Sequence, residues 1–165
     1  MNQPWSVVLC LGLLAFATHV IGQDTEFLTL GCLTGYENDD NPQICAEVAP
    51  ETKSDVAEAH RKWLTRNANA LRELQDACRA RLLRTYGDEK SIREAKEQAA
   101  LWVVKYRRPF ARQIVNCRAY AKDFAEGGPR VDIPPELPRA TRETQASKVQ
   151  WVNGIPQVGT PARPR

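Results

Sequence analysis

Histidine is nearly absent from this 165-residue chain, which holds two, His19 and His60. His19 falls inside an apolar leader, so any Ser-His-Asp or Cys-His arrangement would have to use His60. There is no glycine-rich phosphate loop and no dinucleotide fingerprint. Long apolar runs are equally scarce. Ser6 to Phe16 is the one candidate, and it falls short of the ~20 residues that a spanning helix needs. Residues 23–50 contain six acids and no Lys or Arg. Together these shortages argue against an enzyme, a metalloprotein or a membrane-spanning protein.

The apolar run is followed by small and polar residues, and Val20-Ile21-Gly22 fits a leader-peptidase site. Residues 1–22 therefore read as a secretory signal, although Met1 to Trp5 has no Lys or Arg and only the amino terminus supplies positive charge. Cleavage removes Cys10 and leaves Cys32, Cys45, Cys78 and Cys117. An even number of cysteines in an exported chain implies two disulfides. The expected location is secreted or periplasmic. With no thiol left over and one histidine, neither a zinc site nor a cofactor is expected. Glu37 to Pro42 (ENDDNP) is acidic but lacks the spacing of a calcium loop.

Charge is distributed unevenly. After the acidic lead-in, residues 51–126 carry 17 bases against 11 acids, and residues 127–165 carry six against three. Lead-in and body are expected to lie against each other, unless both are simply solvated.

Residues 50–126 read as the helical domain, between a lead-in (23–49) and a proline-rich flexible tail (127–165). Pro50 suits a first helical position, and Thr52 and Ser54 are alternative caps. Val56, Ala59, Trp63, Leu71, Leu74, Cys78 and Leu82 recur at helical steps with one gap at Asn67. Gly87 supplies the stop. This predicts one helix roughly 50 Å long at 1.5 Å per residue. Asp88 caps a second helix, whose stripe is Ile92, Ala95, Ala99, Trp102, Val103 and Tyr106. Pro109 then removes a donor and crowds the carbonyl of Lys105. The stripe resumes with Phe110, Ile114, Cys117, Ala121 and Phe124, and ends at Gly127-Gly128.

Two architectures compete. In a straight hairpin turning near Gly87, Cys117 falls level with about residue 58, so it pairs with Cys45 or Cys32, and Trp63 lies near Phe110. If the chain instead reverses near Pro109, Cys78 meets Cys117 and Cys32–Cys45 closes a small loop. Tyr106-Arg107-Arg108 offers no Gly or Asn for a reversal, which favours a kinked continuous helix. The fold class is all-α: a long disulfide-stapled helical hairpin or a three-helix bundle.

The candidate binding residues are cationic. Lys105, Arg107, Arg108, Arg112, Arg118 and Lys122 fall roughly along one side of the second helix, beside Tyr106 and Phe110. Such a face can grip phosphate or carboxylate, or it can serve solubility and neutralise the lead-in. Nucleic acid is disfavoured by export and modest charge. In the tail, Ser147 to Val158 is an apolar island around Trp151. Either it is disordered, or Trp151, Val149 and Ile155 dock on the bundle or a partner. Long amphipathic helices can also pair between chains, so a homodimer is open. His60, beside Arg61 and Trp63, reads as a boundary residue. Carboxylate pairs such as Asp88/Glu89 and Glu94/Glu97 read as helix salt-bridge partners.

The early Cys32 and Cys45, His60-Arg61-Lys62-Trp63-Leu64 and Leu74-Gln75-Asp76-Ala77-Cys78 resemble the exported helical domain of LprI-like lysozyme inhibitors over roughly residues 32–120. The resemblance implies a secreted inhibitor and transfers no functional residue. The expectation is thus a non-enzymatic exported protein that binds a protein or an anionic envelope partner. A lysozyme-type inhibitor and a small hydrolase using His60 are the alternatives.

Overall fold

A computed structural model describes residues 25–36 and 40–157. The expected signal at 1–22, the first half of the ENDDNP turn and the last residues of the tail lie outside the described residues. The helices are α1 (Thr25–Thr34), α2 (Asn41–Val48), α3 (Lys53–Arg66), α4 (Ala68–Tyr86), α5 (Glu89–Trp102), α6 (Arg108–Ile114), α7 (Cys117–Glu126) and α8 (Leu137–Glu143). A π-helical segment, Val103–Arg107, joins α5 to α6. The strands β1 (Gln150–Val152) and β2 (Ile155–Gln157) form an antiparallel hairpin with Trp151 opposite Pro156.

Three legs carry the architecture. The first is α3–α4. Pro50 opens a short 3-10 turn, and the α-helix follows from Lys53. The expected single helix is interrupted at Asn67. Its side-chain amide donates to the Trp63 carbonyl (3.0 Å) and to Asp132 (3.0 Å), and accepts from the Ile133 N–H (2.9 Å). A buried asparagine that competes locally for helix carbonyls loosens the turn it sits in. Gly87 closes the leg at φ +88°, and Asp88 accepts the Ser91 N–H at 2.9 Å, as the sequence suggests.

The second leg, α5–π–α6, returns antiparallel. Pro109 does not end it. The wider π turn just before Pro109 accommodates the missing donor and the ring. The reversal comes later, at Val115 and Asn116, both extended, with Asn116 capping α7 through the Ala119 N–H at 3.0 Å.

The third leg, α7 to α8, runs parallel to the first. Val56 packs with Cys117 and Tyr120, Trp63 packs on Phe124, and Asn67 bonds Ile133. Further along, Arg81 bonds Thr141, so numbering rises together on both legs. This corrects two expectations of the straight hairpin. Trp63 lies on Phe124 and donates to the Val131 carbonyl at 2.7 Å, while Phe110 faces solvent. Leg three, not leg two, lines α3.

Arginines from leg one fasten leg three by its carbonyl ends. Arg66 donates to Phe124 O (2.9 Å) at the end of α7 and pairs with Asp132 (2.9 Å). Arg81 is fully buried. It donates to Thr29 Oγ1 (2.9 Å) and to the carbonyls of Thr141 (3.2 Å), Thr144 (3.1 Å) and Gln145 (3.1 Å). Those carbonyls form the negative end of α8, where a cation is favoured. The sequence places Arg81 at the end of its own helix; it serves another.

The disulfides pair Cys32 with Cys78 and Cys45 with Cys117. The first fixes α1 to α4, and the second fixes α2 to the start of α7. They enclose 46 and 72 residues, so loop-closure entropy gives each an upper contribution of about 4 kcal/mol. The pairing with Cys45 is one the hairpin allows, and the Cys78–Cys117 alternative is excluded. The larger core gathers Leu30, Leu33, Leu71, Leu74, Leu82 and Ile92 with Ile133, Leu137 and Val149. The all-α, doubly stapled class therefore stands. The proline-rich tail differs from the flexible segment expected: through Gln157 it contains α8 and the hairpin, and it buries Val131, Ile133, Leu137 and Val149. Among the described residues, no helix is long and apolar enough to cross a membrane.

Candidate functional site

The surface with the least internal support is the lower part of leg two. Neither the π segment nor α6 contains a buried residue. Its principal packing neighbour outside the leg is α2. The π turn explains this locally. It shifts the register, so no single apolar stripe continues from α5 into α6. Leu101 is 69% exposed, Val104 60% and Phe110 51%. Leu101 and Val104 are three residues apart, so both lie on one side of the helix. Lys105 is four residues beyond Leu101, and its Nζ sits 5.2 Å from the Tyr106 ring centroid.

The six cations expected to form one stripe divide into three groups. Arg108 pairs with Asp40 at 2.7 Å, and Arg112 pairs with Glu47. The hydrogen bond that Arg108 donates to Asp40, reinforced by the carboxylate's charge, raises the Arg108 pKa. Acidic lead-in and basic body do meet, at these two residues. Lys105 and Arg107 remain on the π segment with no ion pair among the described residues. Arg118 and Lys122 lie exposed on α7, a different leg.

The tail residues divide as well. Val149 is buried, and Trp151 packs against the main core together with Trp102. Ile155 is 45% exposed, and Val152 is exposed beside it. Asn153 and Gly154 both take positive φ, which suits the tight two-residue turn of a hairpin. The turn meets leg two where the Tyr106 hydroxyl donates to Asn153 O at 3.4 Å.

His60 is half-buried on α3, with Nδ1 3.2 Å from the Tyr120 hydroxyl and its ring stacked on Trp63. Among the described residues, no cluster of His, Cys, Asp and Glu has a metal-holding arrangement. Helical periodicity does not single out Leu101 and Val104. Their signal was present: they are large apolar residues off the stripe of Ile92, Ala95, Ala99 and Trp102. Comparison with protein-family models, curated proteins and solved structures finds no match to this chain.

Proposed function

We propose that this is an exported, non-enzymatic binding protein that recognises a protein or an anionic envelope component through the outer side of leg two. One observation carries the reading: Leu101 and Val104, three residues apart where α5 passes into the π segment, are the most exposed large apolar side chains among the described residues. Exposed apolar groups grouped on one element mark interaction surfaces. Lys105 and Arg107 add unpaired positive charge alongside, which favours an acidic partner. The two disulfides suit a secreted or periplasmic setting.

The test is crosslinked capture from the native envelope or secretory fraction, comparing the oxidised protein with a Leu101→Ser/Val104→Ser variant. Both substitutions lie at exposed positions, so helicity and both disulfides are expected to persist. The proposal expects the principal crosslinked partner to fall at least tenfold. Equal capture by both proteins would place recognition elsewhere. A muramidase as the captured partner would favour the inhibitor alternative.

A further inference from the structure

Charge along the exposed face of leg two follows an order. Ile92 and Ala99 turn one side of α5 to the core and are buried. On the opposite side, Lys90, Glu94, Glu97, Leu101, Val104 and Lys105 are all exposed. Positions three and four apart share a helix face, so these residues form one ridge. Immediately before its apolar pair the ridge is acidic, and immediately after it the ridge is basic. Glu97 stands four residues before Leu101, and Lys105 stands four residues after it. Ala100, also exposed, leaves room beside Leu101.

The fold makes little use of these charges. Glu94 lies 4.0 Å from Lys90, with both side chains exposed. Among the described residues, Glu97 and Lys105 form no ion pair. α1 and α4 pack against α5, and α2 packs against α6, which leaves the ridge open. The pattern is its own complement. A twofold axis through Leu101, perpendicular to the helix, sets a second copy antiparallel. Whatever stands four residues before the axis then faces what stands four residues after it. Glu97 of each copy meets Lys105 of the other, and the apolar pairs meet at the axis. A parallel pairing would set Glu97 against Glu97 and Lys105 against Lys105. A partner for this ridge must carry its acid opposite Lys105 and its base opposite Glu97, and this chain does.

We propose that the partner of the leg-two surface is a second copy of this chain, paired antiparallel and with twofold symmetry about Leu101. The inference rests on the reading of leg two as a recognition surface and names what that surface recognises. Leu101 and Val104 leave water against the same residues of the second copy. The Glu97–Lys105 pair occurs twice, once on each side of the axis, and fixes direction and register. One helix face is a small interface, at the low end of the range for specific complexes, so the pairing is reversible. Exposed ion pairs add little affinity. Like charges in the same places are strongly disfavoured, which makes charge reversal the sensitive probe.

Sedimentation equilibrium of the oxidised protein reads the monomer–dimer constant. Wild type is expected to dimerise with a Kd below about 100 μM. Glu97→Lys and Lys105→Glu each set like charges together on both sides of the axis. Each is expected to weaken dimerisation by about tenfold or more. The double variant Glu97→Lys/Lys105→Glu exchanges the two signs and is expected to return to within about threefold of wild type. An equimolar mixture of the two single variants is expected to form a heterodimer of similar strength. Leu101→Ser/Val104→Ser is expected to be monomeric. Circular dichroism and thiol titration establish that each variant is folded and oxidised. Wild type that stays monomeric at about 1 mM would overturn self-pairing. The leg-two reading would then stand or fall separately, on crosslinked capture. Dimerisation that survives Leu101→Ser/Val104→Ser would place the contact on another face and overturn the inference. Single reversals that the double variant does not rescue would overturn it as well.

Discussion

Arg81 shows how much one side chain can decide. It is fully buried, and it joins α1, α4 and the carbonyl end of α8. Burial lowers its pKa, the neighbouring Tyr36 opposes that, and Arg84 adds to it. The guanidinium still stays charged, because its intrinsic pKa is so high. Arg81→Met keeps much of the volume and strands three carbonyls. Urea unfolding should show a loss of about 3 kcal/mol. Arg81→Lys should recover little of it, since one ammonium cannot reproduce the fork. An unchanged unfolding midpoint in either variant would show that α8 is held by its apolar contacts alone.

Asp132 is the acidic counterpart. Burial pushes its pKa up, but hydrogen bonds from Arg66, Asn67 and the Gly128 N–H outweigh this, so it ends below its ordinary value of 3.8. A carboxyl with a depressed folded pKa stabilises the fold fully above its unfolded value. That stability is lost as pH falls through the lower folded value. The melting temperature should therefore decline below about pH 4. Asp132→Asn should lower the melting temperature at neutral pH and flatten part of that decline. A variant with the same acid profile as wild type would assign the decline to other carboxylates. None of this was legible in the sequence. Arg81 and Asp132 are 51 residues apart, and their roles depend on which helix ends lie beside them.

At the scale of elements, local chemistry was readable and long-range placement was not. Gly87 and Asp88 announce the turn between legs one and two, and Gly127 ends α7 at φ +78°. At Gly127 a Cβ would come within 2.6 Å of the Arg66 guanidinium, so glycine there serves both the turn and the clamp. Asn67 and Asn116 were weaker signals. Each interrupts an otherwise helical pattern for one or two residues, and each matters because of a partner: Ile133 for Asn67, and the capped α7 for Asn116. The cationic stripe illustrates the same limit. Sequence spacing places six cations together, but the π turn and the reversal at Val115 separate Arg118 and Lys122 from the rest. The tail also looked flexible by composition. Its apolar residues are few, yet Val131, Ile133, Leu137 and Val149 all reach the core.

The π segment and α6 follow as the weakest part of the helical frame. They bury no residue, whereas α4 buries Leu71, Leu74, Ala77, Cys78, Arg81 and Leu82. Backbone groups in thinly packed elements open with smaller free energies than the global one. Native-state hydrogen exchange should show amides of Val103 to Ile114 exchanging at least tenfold faster than those of α4. Equal protection would mean that leg two is held as firmly as leg one, and that its exposed leucine and valine sit on a rigid element.

For the molecule as a whole, the third leg is the decisive feature. Because α7 and α8 run along α3 and α4, the first leg is covered along its length. Leg two is then backed by α1 near the turn and by α2 further down. Leg two keeps Leu101, Val104 and Phe110 in solvent. The proposed recognition surface is a consequence of that arrangement. The fold class could be read from helical periodicity and four cysteines. The parallel course of leg three could not, since it depends on a reversal that no glycine marks.

The most direct measurement is peptide mapping of the oxidised protein, digested without reduction at acidic pH to prevent exchange. Cys32–Cys78 and Cys45–Cys117 are the expected crosslinked peptides. These pairs require α7 to begin beside α2, which is what allows it to run up along α3. Recovery of Cys32–Cys45 with Cys78–Cys117 would contradict the account. The chain would then reverse near Pro109, leg two would be covered by α7, and the exposed side on which the proposed function rests would not exist.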